Sequence, residues 1–205
     1  MQQTNQQMAD YFDQCARQGE MADWPPDQAA KLKQCLTRWN IRPHQCILEP
    51  GCGRGRLTAV LAPLVGPEGR IVACDLSGEM IRRARELPLP DYVEFHHAAV
   101  EDLALLEASF DHVIALHVFP HLLDQPRVLA DWQRTLKPGG RLWIQHLKSR
   151  QAVNQTHEDA GAFVRAHKIP DPPRMRRLAQ EAGFHVIEIV EAGDEYRLTA
   201  EKPID

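Results

Sequence analysis

Between residues 45 and 147, five short apolar runs alternate with helix-like stretches, and this alternation constrains the fold more than any other feature of the chain. The runs are QCILEP (45–50), RIVACD (70–75), YVEFHHA (92–98), FDHVIALHV (110–118) and RLWIQHL (141–147). Their apolar residues are mostly consecutive, so both faces of each strand need cover, as in a parallel sheet flanked by helices. The intervening stretches supply that cover. Residues 56–65 read as a helix closed by Gly66-Pro67. Ser77 can cap a helix from Gly78 to Leu87, which Pro88 and Pro90 end. Pro126 opens a helix through Leu136, and Lys137-Pro138-Gly139-Gly140 reads as a turn. Beyond the fifth run, residues 150–168 are polar and His-bearing, and MRRLAQEAGF (175–184) reads as a helix. HVIEIVEA and EYRLTAEK then pair as a hairpin about Gly193-Asp194. The expected fold is therefore α/β. It has a seven-stranded, mostly parallel sheet with helices on both faces and a C-terminal antiparallel hairpin. Upstream, residues 1 to about 10 are Gln-rich and expected to fray, and DQAAKLKQCLTRWN (27–40) reads as a helix. The expected division is an N-terminal helical arm or lid, 1–40, and a single domain, 41–205.

Composition removes several classes. At 205 residues the chain can build one core, and its net charge of −4 gives no reason to expect a nucleic-acid partner. The five cysteines (15, 35, 46, 52 and 74) show no CxxC spacing, so reduced thiols and a cytoplasmic location are expected. The start, MQQTNQQMADYFDQ, lacks the apolar segment of a signal peptide. No apolar run reaches the ~18 residues that would cross a membrane. Oligomeric state is left open.

The loop after the first run, ILEPGCGRGRL (47–57), places three glycines in five positions. In an open α/β sheet this is where ligands bind, and glycine lets the backbone turn sharply and approach them. No Lys-Ser/Thr follows, so the loop is not built for a triphosphate. The spacing is GxGxG. Arg56 stands where a dinucleotide fold places a small residue, and Glu49 precedes the first glycine by two positions. A carboxylate there would repel a pyrophosphate and attract an amine, so the loop favours a cationic ligand without phosphates. Asp75, at the tip of the second run, is positioned to accept both hydroxyls of a ribose.

These motifs, with AAVEDL (98–103), SFDHVIALHV (109–118) and LKPGGRLWI (136–144) in this order, resemble the class I S-adenosylmethionine (SAM)-dependent methyltransferases over residues 45–147. The resemblance extends more loosely to the C-terminus. It implies a Rossmann-like methyltransferase fold with SAM as cofactor. It implies further that Glu49 and the backbone of Gly51, Cys52, Gly53 and Gly55 surround the methionine moiety, that Asp75 binds the ribose, and that Leu76 packs on the adenine. Val100 would offer its N–H to the adenine, beside Glu101. Leu116 and His117 would lie near the transferred methyl. Many relatives carry Asp where Ala99 stands; Glu101 or Asp102 is left to replace it.

The methyl acceptor is less legible. Residues 115–121, ALHVFPH, contain neither the Pro-Pro-aromatic motif of amino-methylating DNA enzymes nor a Pro-Cys nucleophile. His117 replaces the carboxylate that holds Mg²⁺ in catechol-type enzymes. A small-molecule acceptor, methylated at O, S, N or C, is expected. The resemblance is strongest to the branch that includes quinone-biosynthesis enzymes. His117, then His121, is the expected acceptor-orienting residue or base. Tyr11, Phe12, Trp24, His146 and His157 are candidate substrate contacts. A metal is not expected, although His117, His121 and His146 would be its ligands if they converged. Three alternatives stay open: a SAM-binding module without turnover, an enzyme with a metal-containing or protein substrate, and an NAD(P) oxidoreductase, which Arg56 and Glu49 disfavour.

Overall fold

The computed structural model describes residues 4–20, 22–160 and 163–204. In chain order its helices are α1 (Asn5–Arg17), α2 (Pro26–Trp39), α3 (Arg56–Val65), α4 (Gly78–Ala84), α5 (Gln125–Thr135), α6 (Arg150–Asp159) and α7 (Pro172–Glu181). Its strands are β1 (Cys46–Pro50), β2 (Arg70–Asp75), β3 (Val93–His97), β4 (Phe110–Leu116), β5 (Leu136–His146), β6 (His185–Ala192) and β7 (Glu195–Glu201). The strands form one sheet in the order β3-β2-β1-β4-β5-β7-β6. β1, β2 and β3 pair in parallel, as do β4 and β5. β7 is antiparallel to both β5 and β6. The chain divides into two compact units, Met1–Ala104 and Leu105–Asp205.

In the first unit, Ile47, Leu48 and Glu49 are buried consecutively, which a strand achieves only with cover on both faces. In the second, His112 through Leu116 repeat that pattern. Ser77 caps α4, its Oγ accepting from the Met80 N–H. The hairpin turns at Gly193 with φ of 57°.

Three sequence expectations need correction. The Gln-rich start is not frayed from residue 5 onward. Thr4 and Gln7 form a reciprocal capping box, and α1 then buries Met8, Cys15 and Ala16. α4 stops at Ala84 rather than Leu87. Residues 137–140 are not a simple turn but lie within β5. Its register against β4 shifts between Phe110 and His112, so the extra residues bulge. Gly139 and Gly140 exchange backbone hydrogen bonds with Lys202 across that bulge. In addition, the polar segment after β5 contains a helix, α6, capped by Ser149. No helix among the described residues is long and apolar enough to cross a membrane.

Candidate active site

The loop between β1 and α3 is built on three left-handed glycines: Gly51, Gly53 and Gly55, with φ of 67°, 54° and 78°. Gly55 is also closely packed. A Cβ there would sit 2.9 Å from Leu87 Cδ1 and 3.2 Å from Phe95 Cζ. The loop is tied to β2 by the Cys52 N–H, which donates to the Cys74 carbonyl at 2.9 Å.

Two carboxylates bracket this loop. Glu49 is 2% exposed, and its Oε2 accepts a 2.8 Å hydrogen bond from Thr58 Oγ1. Burial pushes its carboxyl up to about 8, against the pull of the Thr58 hydroxyl, and the nearby Asp75 adds to the rise. Asp75, at the end of β2, receives the Ser77 N–H on Oδ1 and the Gly53 N–H on Oδ2, each at 2.9 Å. Burial raises its carboxyl as well, and the two N–H groups oppose that rise. Two acids held in partly desolvated surroundings are costly in isolation. An ammonium near Glu49 and a pair of hydroxyls at Asp75 would offset that cost. The residues present therefore fit a cofactor carrying an α-amine and a ribose.

The remaining cofactor candidates fall in the same unit. Leu76 is half-buried directly after Asp75, with its carbonyl 3.2 Å from His97 Nε2. Val100 is buried and opens a 3₁₀ turn, Val100–Asp102, in which Glu101 is half-buried and Asp102 exposed. Cys52 is buried, and burial pushes its thiol up, which opposes a reactive thiolate. Tyr11 and Phe12 stack edge to face at 5.2 Å. Trp24 lies under the Arg56 guanidinium, 4.1 Å from ring centroid to Cζ, and Arg56 Nη1 also donates to the Asp23 carbonyl. Arg56 therefore serves the arm.

The second unit carries the histidines. Leu116 ends β4, and His117 follows it in the left-handed region with φ of 62°, its N–H donating to Gln145 O at 2.9 Å. A bulky residue with positive φ is strained, and such strain concentrates at functional positions. The His117 ring lies 5.4 Å from that of His146. His146 is 1% exposed, and both of its ring nitrogens lack a hydrogen-bond partner. His121 Nδ1 lies 3.0 Å from His167 Nδ1, so one ring donates to the other. The His121 ring is 4.8 Å from that of His157, whose Nδ1 donates to the His167 carbonyl. Burial lowers His121 to about 3 and depresses His146 and His167, and the neighbouring imidazoles add to the effect.

His117, His121 and His146, which the sequence left open to converge, are joined by His157 and His167, so five histidines lie on the ends of β4 and β5, on α6 and on the segment after it. Among the described residues, no three His, Cys, Asp or Glu side chains are arranged to hold a metal ion. Thr58, Ser77 and Asp13 enter the site without having been singled out as site residues. Thr58 is legible afterwards, since it lies in the first turn after the glycines. Asp13 reaches Ser77 across 64 positions of sequence, and no local pattern points to it.

Residues 48–144 match the family model described as a methyltransferase domain. The chain is 30% identical to O-methyltransferase cnsE of Penicillium expansum, over 74% of this chain and 56% of that protein. It is 33% identical to the ubiquinone/menaquinone biosynthesis C-methyltransferase UbiE of Hahella chejuensis, over 53% of this chain and 45% of that one. The chain spans about half the length of these curated relatives. Among solved structures, a SAM-dependent methyltransferase from Aquifex aeolicus superposes with a TM-score of 0.67 at 21% identity, covering 87% of this chain and 99% of that one. The family match makes residues 48–144, with the GxGxG loop and its acids, a methyltransferase domain, and the sheet order with its inserted antiparallel strand is the fold shared with that SAM-dependent methyltransferase.

Proposed function

We propose that the chain transfers a methyl group from SAM to a small-molecule acceptor. The observation that carries this reading is the pair of enclosed carboxylates, Glu49 and Asp75, on either side of a left-handed glycine loop that lacks a phosphate-binding lysine. Glu49 would hold the amino acid end of the cofactor and Asp75 the ribose. Leu76, Val100 and Glu101 would hold the adenine, and Leu116 would lie near the methyl. Glu101 is a better substitute than Asp102 for the carboxylate missing at Ala99, because Glu101 is half-buried and Asp102 is exposed. Bound SAM supplies a methyl on a sulfonium, which needs only alignment and a nucleophile.

The protein's remaining task is to prepare that nucleophile. His117 is the first choice as base, because it directly follows the last residue of β4, at the exit of that strand. A base works best when its pKa lies near the operating pH. His121, held near 3, is therefore better suited to orienting an acceptor than to taking its proton. Tyr11, Phe12, His146 and His157 remain candidate acceptor contacts, whereas Trp24 is engaged by Arg56. The two relatives are named for transfer to oxygen and to carbon, so they support a small acceptor without choosing its atom.

Titration calorimetry with S-adenosylhomocysteine and with NADH tests the cofactor. Binding of the first alone is expected, and binding of NADH alone would overturn the reading. Release of S-adenosylhomocysteine across a panel of phenols, thiols, amines and quinols then tests turnover. Cofactor binding with no release from any acceptor would favour a binding module.

A further inference from the structure

The N-terminal helix is wired into the cofactor site by an unbroken path of hydrogen bonds. Asp13, on α1, accepts on Oδ1 from Ser77 Oγ and from the Glu79 N–H, the latter at 3.0 Å. Its other oxygen pairs with Arg17 at 3.3 Å. Ser77 is fully buried, and its single hydroxyl proton goes to Asp13. The same Ser77 accepts from the Met80 N–H at 3.1 Å and donates its own N–H to Asp75 Oδ1. Asp75 Oδ2 in turn accepts from Gly53. The path therefore runs from Asp13 to Ser77 to Asp75 to the glycine loop. A second attachment, Trp24 and the Asp23 carbonyl on Arg56, fixes the end of the arm to the residue directly after Gly55.

This arrangement exceeds what packing requires. α1 already buries Met8, Cys15 and Ala16, and the Ser77 cap on α4 does not itself need a remote carboxylate. Asp13 sets the Ser77 rotamer and, with the Glu79 N–H, the pitch of the turn between Asp75 and α4. Burial does most to raise the Asp75 carboxyl, and the Asp13 charge behind it adds a smaller rise.

We propose that Asp13 is a positioning residue for the cofactor. It orients the Asp75 carboxylate through Ser77, so that docking of the N-terminal helix and cofactor binding are linked equilibria. The inference rests on reading Asp75 as the ribose acid. Linkage is reciprocal: a ligand that binds more tightly when the helix is docked must hold the helix down by the same factor.

The test uses the full chain and S-adenosylhomocysteine. Asp13→Ala is expected to weaken binding about tenfold. Asp13→Asn, which keeps an oxygen for Ser77, is expected to stay within about threefold of the wild type. In a double-mutant cycle, Asp13→Ala should cost nothing further once Asp75 is Ala, because its route to the ligand is gone. Amide exchange in α1 should slow on adding ligand to the wild type, and not in Asp75→Ala. Additive costs in the cycle, or exchange in α1 that ignores the ligand, would overturn the proposal while leaving the cofactor reading intact. If the wild type does not bind S-adenosylhomocysteine, both readings fall. Should Asp13→Ala not fold, Ser77→Ala replaces it in the same cycle with the same expectations.

Discussion

Replacing Glu49 with Gln separates the cost of the site from its use. The folded carboxyl titrates at about 8 rather than at the ordinary 4.5. At pH 7 it is therefore mostly protonated when folded and ionised when unfolded. At this group the native state binds more protons, so its contribution to stability falls as pH rises from about 4.5 to 8. At pH 7 the difference spans about 2.5 pH units, or on the order of 3 kcal/mol at 1.36 kcal/mol each. A Gln of similar shape carries no charge to desolvate and can still accept from Thr58. Glu49→Gln is thus expected to stabilise the free protein by up to about 3 kcal/mol at pH 7. For a chain of this size that is roughly a 6–12 °C rise in Tm. The same change should weaken S-adenosylhomocysteine, whose ammonium loses its counter-charge. Wild-type affinity should rise about 50-fold from pH 6 to pH 8, since binding requires Glu49 to give up its proton. The Gln variant should show a flat profile. Calorimetry across pH and thermal melts read both effects. A variant that melts at or below the wild-type temperature, with the pH slope of binding retained, would refute the argument.

Three further outcomes are expected. Asp75→Ala should weaken S-adenosylhomocysteine by about 10- to 150-fold, the range for losing charged hydrogen bonds of about 1.5–3 kcal/mol; calorimetry reads it, and unchanged affinity would remove Asp75 from the ribose. His117→Gly should relieve the φ of 62° and melt no lower than the wild type, while methyl transfer falls at least tenfold and cofactor affinity stays within a few-fold. Product-release kinetics with the best acceptor check it, and full activity would move the base elsewhere. Arg56→Ala removes a cation–π contact of about 0.5–1 kcal/mol. Trp39, Trp132 and Trp143 are buried, so acrylamide quenching reports Trp24 and should rise in that variant.

The strands of this fold were legible because burial on both faces leaves consecutive apolar residues. β2 runs over the same residues that the pattern marks, the half-exposed edge strand β6 is set by the Gly193-Asp194 turn that follows it, and the Ser77 cap follows from its chemistry. α6 was obscured because only Val153 is buried on it, so no apolar stripe shows. The bulge in β5 was hidden because Pro-Gly-Gly reads locally as a turn, and only the pairing with Lys202 draws it into the sheet. Glu49 and Asp75 could be singled out because their positions relative to the glycines carry chemical meaning. Asp13 could not, because its role depends on a partner 64 positions away, and the pairing of His167 with His121, 46 positions away, left no local sign.

The two kinds of buried titratable group oppose one another in pH, and their balance bears on how the free chain behaves. Burial raises Glu49 and Asp75, and these acids erode stability as pH rises above the ordinary carboxylate range. Burial lowers His112 to about 4 and His121 to about 3, and also depresses His146 and His167. Below about 6.5 the unfolded chain takes up protons that these four cannot, so stability erodes as pH falls. From pH 6.5 to 5, His121 alone offsets the gain from Glu49, each on the order of 1.5 kcal/mol. His112, His146 and His167 erode stability further as pH falls, against the opposing trend of Asp75. Up to about pH 7 the unfolded chain is still losing imidazole protons, which offsets Glu49; from 7 to 8 the acids prevail, and Glu49 costs on the order of 1 kcal/mol. The free protein should therefore be most stable near pH 7. Saturating S-adenosylhomocysteine should flatten the alkaline arm alone, because it supplies the charge that Glu49 lacks, while the imidazoles stay neutral. Melting curves from pH 5 to 8, with and without ligand, read this directly. A ligand that lifts both arms equally would mean that Glu49 is not where the cofactor's charge is met.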